Sequence, residues 1–502
     1  MKSPEKINYP ITASMLYDYI HCPHRVYLDL YGDSQEKDRV NPFVQLLWER
    51  GTLYETEVIS GVEETFTDLS KLPDQEREQA TLEALQQGDH LIYGGRLRHG
   101  DLLGIPDILR KEEEGYIAGD IKSGAGLEGV SDLENGKPKK HYAVQLALYT
   151  DLLEQLGFSV GRRAFVWDVH GEEIIYDFTE PRGKRTPETW WEFYEKILRQ
   201  ARETRNKNAK TQPVCASECK LCQWDSFCKS RVRHSQDLSL IPELGRSKRD
   251  TLQPALKNLY HLANADLNIY INRGKTRFHR IGAAQLIKFQ ERALLLLDTH
   301  GRPYATDAIQ LPDTDTELFF DIETDPMRDI CYLHGFTERR NQDNATEKYH
   351  AFFTQEPTPE QEKKAFAQAW KFIRSRFGAA LYYYSSYEKT WYRKLQQLYP
   401  DVATEEEIDA LFDSPLTVDL YTDIVKKKTE WPTHDYSIKT LATYLGFNWR
   451  DTEPSGAASI QWYDEWIKTG DPDIRQRILE YNEDDCVATR VVVDGVRKLG
   501  KG

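Results

Sequence analysis

Four cysteines crowd into fourteen residues of this chain: Cys215, Cys219, Cys222 and Cys228. A fifth, Cys22, stands about two hundred residues earlier, in the helical pattern SMLYDYIHCPHRVYLDL. The first thirty residues hold no uninterrupted apolar run, so no signal peptide is expected and a cytoplasmic location is the default. A cluster of cysteines in that setting reads as metal ligation rather than as disulfides. Cys219-x2-Cys222-x5-Cys228 puts three thiolates on one short segment, and four soft thiolates suit an iron–sulfur cluster or zinc. The fourth ligand is either the local Cys215 or the distant Cys22. With Cys22, the metal closes a loop of about two hundred residues, and a long closed loop gains most from closure. Cys331 and Cys486 read as ordinary buried thiols.

At 502 residues the chain has room for three or so domains of about 100–200 residues each. Three blocks are expected. Residues 1–235 mix helices and strands, 236–312 are mainly helical, and 313–502 return to strands alternating with helices, so the fold class is α/β. In the middle block, LIPELGRSKRDTL and FHRIGAAQLIKFQERA read as short helix-turn-helix units with glycine at the turn. They resemble helix-hairpin-helix elements, whose backbone amides hold phosphates; the alternative is a purely structural helical linker. The net charge of −15 excludes a surface that is basic all over, but not local basic patches. One basic stretch runs through Arg199, Arg202, Arg205, Lys207 and Lys210 and on to Arg249; it is either a solvated face or a track for phosphates. No membrane span is expected.

Acidic residues carry the chemistry. DLLGIPDILRKEEEGYIAGDIKSG reads as two strands around an acidic turn. Side chains alternate along a strand, so Asp120 and Lys122 share a face, and Asp107 ends the neighbouring strand thirteen residues upstream. Two carboxylates from adjacent strands suit Mg²⁺ or Mn²⁺, with a lysine to polarise the nucleophile. Gln145 and Tyr149 follow at helical spacing.

Gly104-Ile-Pro-Asp107, Asp120-x-Lys122 and Gln145-x3-Tyr149 together resemble the PD-(D/E)xK core of RecB-family nucleases, on a restriction-endonuclease-like fold. The resemblance implies that Gln145 and Tyr149 sit beside the metal and help position DNA. Where that family carries histidine in a G-x-x-H-E pattern, this chain has Gly51-Thr-Leu-Tyr54-Glu55. Tyrosine is a poor Mg²⁺ ligand, so Glu55 is the expected oxygen donor. The lone cysteine followed by C-x2-C-x5-C resembles the iron–sulfur staple of AddAB-type, replication and CRISPR-adaptation nucleases. That likeness implies a structural 4Fe–4S cluster on Cys22, Cys219, Cys222 and Cys228, with zinc as the rival.

A second constellation lies in the last block. FFDIETD puts Asp321 and Glu323 on one face of a strand end, YYYSSYEKTWYRKL supplies Glu388, and ILEYNEDDCVATRVV supplies Tyr481 and Asp485 one helical turn apart. Four acids converging from a strand and two helices suit two divalent ions about 4 Å apart. Asp419 and Asp484 are fallback acids. The order D-x-E, Y-x-x-x-acid, Y-x-x-x-D resembles the tyrosine-containing branch of the DEDD 3′→5′ exonucleases, on an RNase H-like fold. There Tyr481 orients the attacking water. Glu388 departs from the usual third aspartate.

The two resemblances imply a metal-dependent DNA nuclease with two centres, acting in repair, recombination or defence on single strands or free ends. The alternatives are a nucleic-acid-binding protein with one inactive centre and an RNA-processing 3′→5′ exonuclease. Gly274-Lys275-Thr276 lacks the upstream glycine of a phosphate-binding loop, so no ATP hydrolysis is expected and any unwinding falls to a partner helicase.

Overall fold

The computed structural model describes residues 9–131, 134–183 and 186–500. The chain divides into two compact units: residues up to Pro213 with Ser217–Cys228, and Val214–Ala216 with the residues from Lys229 onward.

The first unit is built on a six-stranded sheet of β1 (Thr67–Asp68), β2 (Leu91–Tyr93), β3 (Ile108–Glu112), β4 (Gly115–Ile121), β5 (Ser159–Trp167) and β6 (Glu173–Asp177), laid side by side in that order. Every residue of β4 is buried. A strand covered on both faces must be apolar almost throughout, and GYIAGDI meets that demand except at Asp120. β3 and β4 run antiparallel across Glu113 and Glu114, with Glu112 opposite Gly115. β4 and β5 are parallel, so a crossover must join them, and the helix Lys140–Leu156 lies between them in the chain.

Four helices matter here: α1 (Ala13–His21), α2 (Pro42–Ser60), α3 (Lys140–Leu156) and α4 (Trp190–Arg205). α4 opens on a capping box between Thr189 and Glu192. α3 packs Tyr149 against Gly104, where an added Cβ would lie 2.7 Å from the Tyr149 ring; only glycine admits that approach.

In the second unit the two segments read as helix-turn-helix each contribute one α-helix, α5 (Gly245–Leu252) and α6 (Ala283–Leu297). Glu243 and Arg280, both with positive φ, turn the chain before each helix. Between the helices runs a short hairpin of β7 (Ile271–Asn272) and β8 (Lys275–Thr276) that the sequence reading did not include. The third block forms a five-stranded sheet of β9 (Thr316–Asp325), β10 (Ile330–Arg340), β11 (Asp343–Phe353), β12 (Ala380–Tyr383) and β13 (Thr417–Asp419), ordered β11-β10-β9-β12-β13. β9 pairs antiparallel with β10 and parallel with β12. Against it lie α7 (Pro359–Arg374), α8 (Tyr387–Leu398), α9 (Ile438–Tyr444), α10 (Gly456–Thr469) and the long α11 (Pro472–Leu499).

Candidate active sites

In the first unit Asp107 stands just before β3 and Asp120 near the end of β4. The Ile121 amide donates to the Asp107 carboxylate at 2.8 Å, and the Asp107 amide lies 3.5 Å from Asp120 Oδ1. Lys122 Nζ lies 2.8 Å from Asp120 Oδ2. Burial and the Asp120 carboxylate, with Glu55 adding to them, push the Asp107 carboxyl well above its usual range, and Lys122 opposes that push. Burial works against the charge on Lys122, but Asp120 and Asp107 outweigh it and keep the ammonium protonated. α2 brings in Glu55, which accepts a hydrogen bond from Tyr93 at 2.8 Å. The neighbouring Tyr54 turns elsewhere: its hydroxyl donates to the Asp168 carbonyl. Adjacent residues on a helix point about 100° apart, so only one of this pair faces the acids. Gln145 donates to the Tyr149 hydroxyl, which donates to the Ile105 carbonyl, each at 3.2 Å. Both therefore act on the Gly-Ile-Pro-Asp turn.

Sequence reasoning missed the rings around Lys122. Tyr17 and His21 on α1 meet His141 and Tyr142 at the start of α3, with centroid distances of 4.6–5.0 Å along the contacts. Burial, His21 and the lysines lower the His141 pKa to about 4, so it is neutral at physiological pH. Nothing in HCPHR or KKHYA announces this meeting of segments 120 residues apart in the chain.

The cysteines separate as follows. Burial pushes the Cys228 thiol up to about 12, and Cys22, Cys222 and Cys219 reinforce the push. The Arg25 amide donates to Cys22 Sγ at 3.4 Å and the Trp224 amide to Cys222 Sγ at 3.5 Å. Trp224 is buried, with its indole nitrogen donating to Asp29 at 3.0 Å. Cys215 belongs to the second unit, packed on the core around Leu238 and Ile241, its amide donating to Ser239. Of the basic stretch, Arg202 and Arg205 pair with Asp101, and the buried Arg249 pairs with Asp237.

The second unit gathers the other acids. One oxygen each of Asp321, Glu323 and Asp485 lies within 4.8 Å of the others. Alternation along β9 puts the first two on one face, and a register shift between Glu323 and Thr324 interrupts the pairing with β10, which resumes at Thr324 and Asp325, as bulges beside active sites do. Asp485 and Tyr481 come from one face of α11. Glu388, in the first turn of α8, stands outside that trio; it is buried, its Oε2 has no hydrogen-bond partner, and its charge acts on Asp321. Of the fallback acids, Asp419 accepts from the Thr422 and Ser385 amides, and Asp484 pairs with Arg450.

Four residues absent from the sequence reading hold this site. Asn482 donates to Asp321 at 2.7 Å and accepts from Tyr349 at 2.8 Å. Gly335, opposite Asp321 on β10, makes room: an added Cβ would lie 1.6 Å from Asn482 Oδ1. Trp449 donates to Asp485 at 2.7 Å. Lys439 donates to the Tyr481 hydroxyl at 2.8 Å and to the Pro454 carbonyl at 2.7 Å.

Burial and neighbouring carboxylates raise all four acids. Asp321 and Glu388 go well above the carboxylate range, Glu323 rises to about 8, and Asp485 rises against the opposing pull of Lys439. Such a cluster holds protons until a cation replaces them. A carboxyl whose pKa is raised in the folded state binds its proton more tightly folded than unfolded. Stability is therefore greatest below its ordinary pKa and falls as pH rises toward the folded value; for Glu323 the window runs from 4.5 to about 8. Each pKa unit is worth about 1.4 kcal/mol. In chelator, the Tm of the protein drops by several degrees between pH 5 and 8; Mn²⁺ restores it, and Asp321→Asn flattens the drop. A Tm independent of pH and of Mn²⁺ contradicts this electrostatic picture.

Two family models match the chain: the PD-(D/E)XK nuclease superfamily over residues 14–229 and the RNase H superfamily over residues 318–496. No curated protein matches it. Both matched domains are nuclease-type, which supports a phosphodiester hydrolase with nucleic acid as the substrate class. Among the described residues, no helix is long and apolar enough to cross a membrane.

Proposed function

We propose that this chain, which belongs to the PD-(D/E)XK nuclease superfamily in its first unit and to the RNase H superfamily in its second, is a DNA nuclease with two metal-dependent centres. The second removes nucleotides from 3′ ends. The observation that carries this reading is the trio Asp321, Glu323 and Asp485 beside a tyrosine held by lysine.

The donor set fits hard divalent cations. It consists of carboxylate oxygens with an excess of buried negative charge, and the Oε2 of Glu388 is unsatisfied. Asp321, Glu323, Asp485 and Glu388 would hold Mg²⁺ or Mn²⁺ in the second unit, and Asp107, Asp120 and Glu55 in the first. When bound, these ions supply charge neutralisation at the phosphate and acidify water. Tyr481 orients the incoming water; Lys439 fixes its hydroxyl by occupying one of that oxygen's lone pairs. Trp449 and Asn482 keep Asp485 and Asp321 from rotating. In the first centre Lys122, charged and paired to Asp120, would meet the phosphate oxygens, while Gln145 and Tyr149 brace the turn that carries Asp107.

Cys22, Cys219, Cys222 and Cys228 offer the four thiolates that a 4Fe–4S cluster takes, and Cys228 lies within electrostatic reach of the other three. Cys222→Ser is expected to lose the brown absorbance and bound iron and to lower the Tm of the protein; zinc without iron in the wild type would refute the cluster. DNA with free ends, opened by a separate helicase, is the partner this reading needs.

One observation favours a rival. Tyr54 donates to a backbone carbonyl instead of offering a ligand, so the first centre serves as a binding site alone if Glu55 does not compensate. Digesting end-labelled single-stranded DNA, duplex DNA and RNA of one sequence with Mn²⁺ tests the whole reading. Shortening of DNA from its 3′ end supports it, and preference for RNA replaces it with an RNA-processing role.

A further inference from the structure

The tripeptide Gly274-Lys275-Thr276, which is no phosphate-binding loop of an ATPase, sits in the β7–β8 hairpin. Around it five basic side chains crowd into eight residues, Arg273, Lys275, Arg277, His279 and Arg280, and all five are exposed. Most cations with defined contacts in this acidic protein are paired, Arg202, Arg249, Arg292 and Arg339 among them. None of these five has a carboxylate within ion-pair distance among the described residues.

The scaffold under them is fixed. Arg273 and Gly274, with φ of 48° and 76°, make the tight turn of a two-residue hairpin loop. The Thr276 hydroxyl donates to the Phe278 carbonyl at 3.1 Å and accepts from the Phe278 amide at 3.2 Å. Tyr270 and Phe278 stack at 5.4 Å, and the Arg277 guanidinium lies over Tyr270 at 4.5 Å, which leaves its edge donors facing outward. Asn268–Arg277 line an open hollow of about 760 Å³. Unpaired, pre-positioned cations carry no cost of breaking an internal ion pair when an anion arrives, and a row of them matches a polyanion better than a single phosphate.

We propose that the β7–β8 hairpin is a docking site for the sugar–phosphate backbone of a nucleic-acid strand, built from residues that belong to neither acidic centre. This rests on the nuclease reading for its ligand class, but not on either centre being active.

The test uses the full chain in chelator, so that nothing is cut, with a labelled 30-nucleotide single-stranded DNA and an RNA of the same sequence in a second arm. Arg273→Asn, Lys275→Gln and Arg280→Asn are combined in one variant; asparagine tolerates the positive φ at 273 and 280, so the fold is kept. Removing three phosphate contacts from a single-strand complex makes the dependence of log K on log salt shallower by about 2. We expect that change, with affinity at least tenfold lower at 100 mM salt and an unchanged Tm. A control, Lys364→Gln with Lys371→Gln on α7, should leave affinity within twofold. An unchanged slope in the hairpin variant, an equal loss in the control, or no binding of either strand by the wild type overturns the docking site. Cleavage of DNA by the wild type in Mn²⁺, measured separately, decides the nuclease reading whichever way the hairpin falls.

Discussion

If the proposed function holds, Asp321→Ala is expected to reduce Mn²⁺-dependent release of 3′ nucleotides by about a thousandfold or more, and Asp120→Ala to leave that release intact and abolish cutting by the first centre. The size follows from what each acid does. Asp321 is one of three carboxylates within 4.8 Å, and its removal would take away one of the oxygens proposed to hold the cation and release Asn482 from its partner. Residues that act as a unit lose nearly everything when one is removed, so Glu323→Ala and the double variant should fall to the same floor. Asp120 stands between Lys122 and Asp107 in the other unit, so its loss leaves Lys122 charged without its main partner. The two variants assign the activities because the two acid clusters share no residue. Unchanged activity in both refutes the site assignment.

The second large effect is on stability. The side chain of Arg292 on α6 is only 2% exposed, as is that of its partner Glu430. Its guanidinium reaches Glu430 at 2.7 Å, the Pro242 carbonyl at 2.8 Å and Glu243 at 3.1 Å, and Tyr436 donates to the same Glu430 carboxylate. Arg292→Met leaves that carboxylate buried, with Tyr436 as a neutral donor and the half-exposed Lys288 as its remaining cation. Breaking a buried pair from one side costs about 3–5 kcal/mol, or roughly ten degrees of Tm. Lys427→Ala, which removes an exposed pair with Asp423, should cost under about 0.5 kcal/mol. Replacing both members, Arg292→Met with Glu430→Leu, recovers most of the loss, because the penalty lies in the orphaned charge. Equal Tm values for Arg292→Met and Lys427→Ala would show that this pair contributes nothing.

Local periodicity made much of the fold readable. Asp321 and Glu323 lie two apart on a strand, Tyr481 and Asp485 four apart on a helix, and GYIAGDI is a strand that only a covered sheet accepts. These are short-range rules, and they work where one element carries the pattern. The groups that hold the site obey no such rule. Asn482 meets Asp321 across 161 residues, Trp449 meets Asp485 across 36, and Lys439 meets Tyr481 across 42. Their partners are chosen by tertiary packing. Gly335 has meaning only once Asn482 is known to need its space. The β7–β8 hairpin has no sequence signature of this kind, because strands of two residues have no period to detect and Arg-Gly is not one of the usual hairpin-turn pairs. Tyr54 and Glu55 show the opposite case: the departure from histidine was visible, and the 100° step between neighbours on a helix explains why the glutamate takes the place beside the acids.

The claim beneath all of this is that buried carboxylates from distant parts of the chain form cation sites. Crystals of the full chain grown in Mn²⁺, with anomalous scattering recorded at the manganese edge, test it directly. The account predicts a manganese peak within bonding distance of Asp321, Glu323 and Asp485, lost in Asp321→Ala. Saturating Mn²⁺ with no peak among those three oxygens would contradict it.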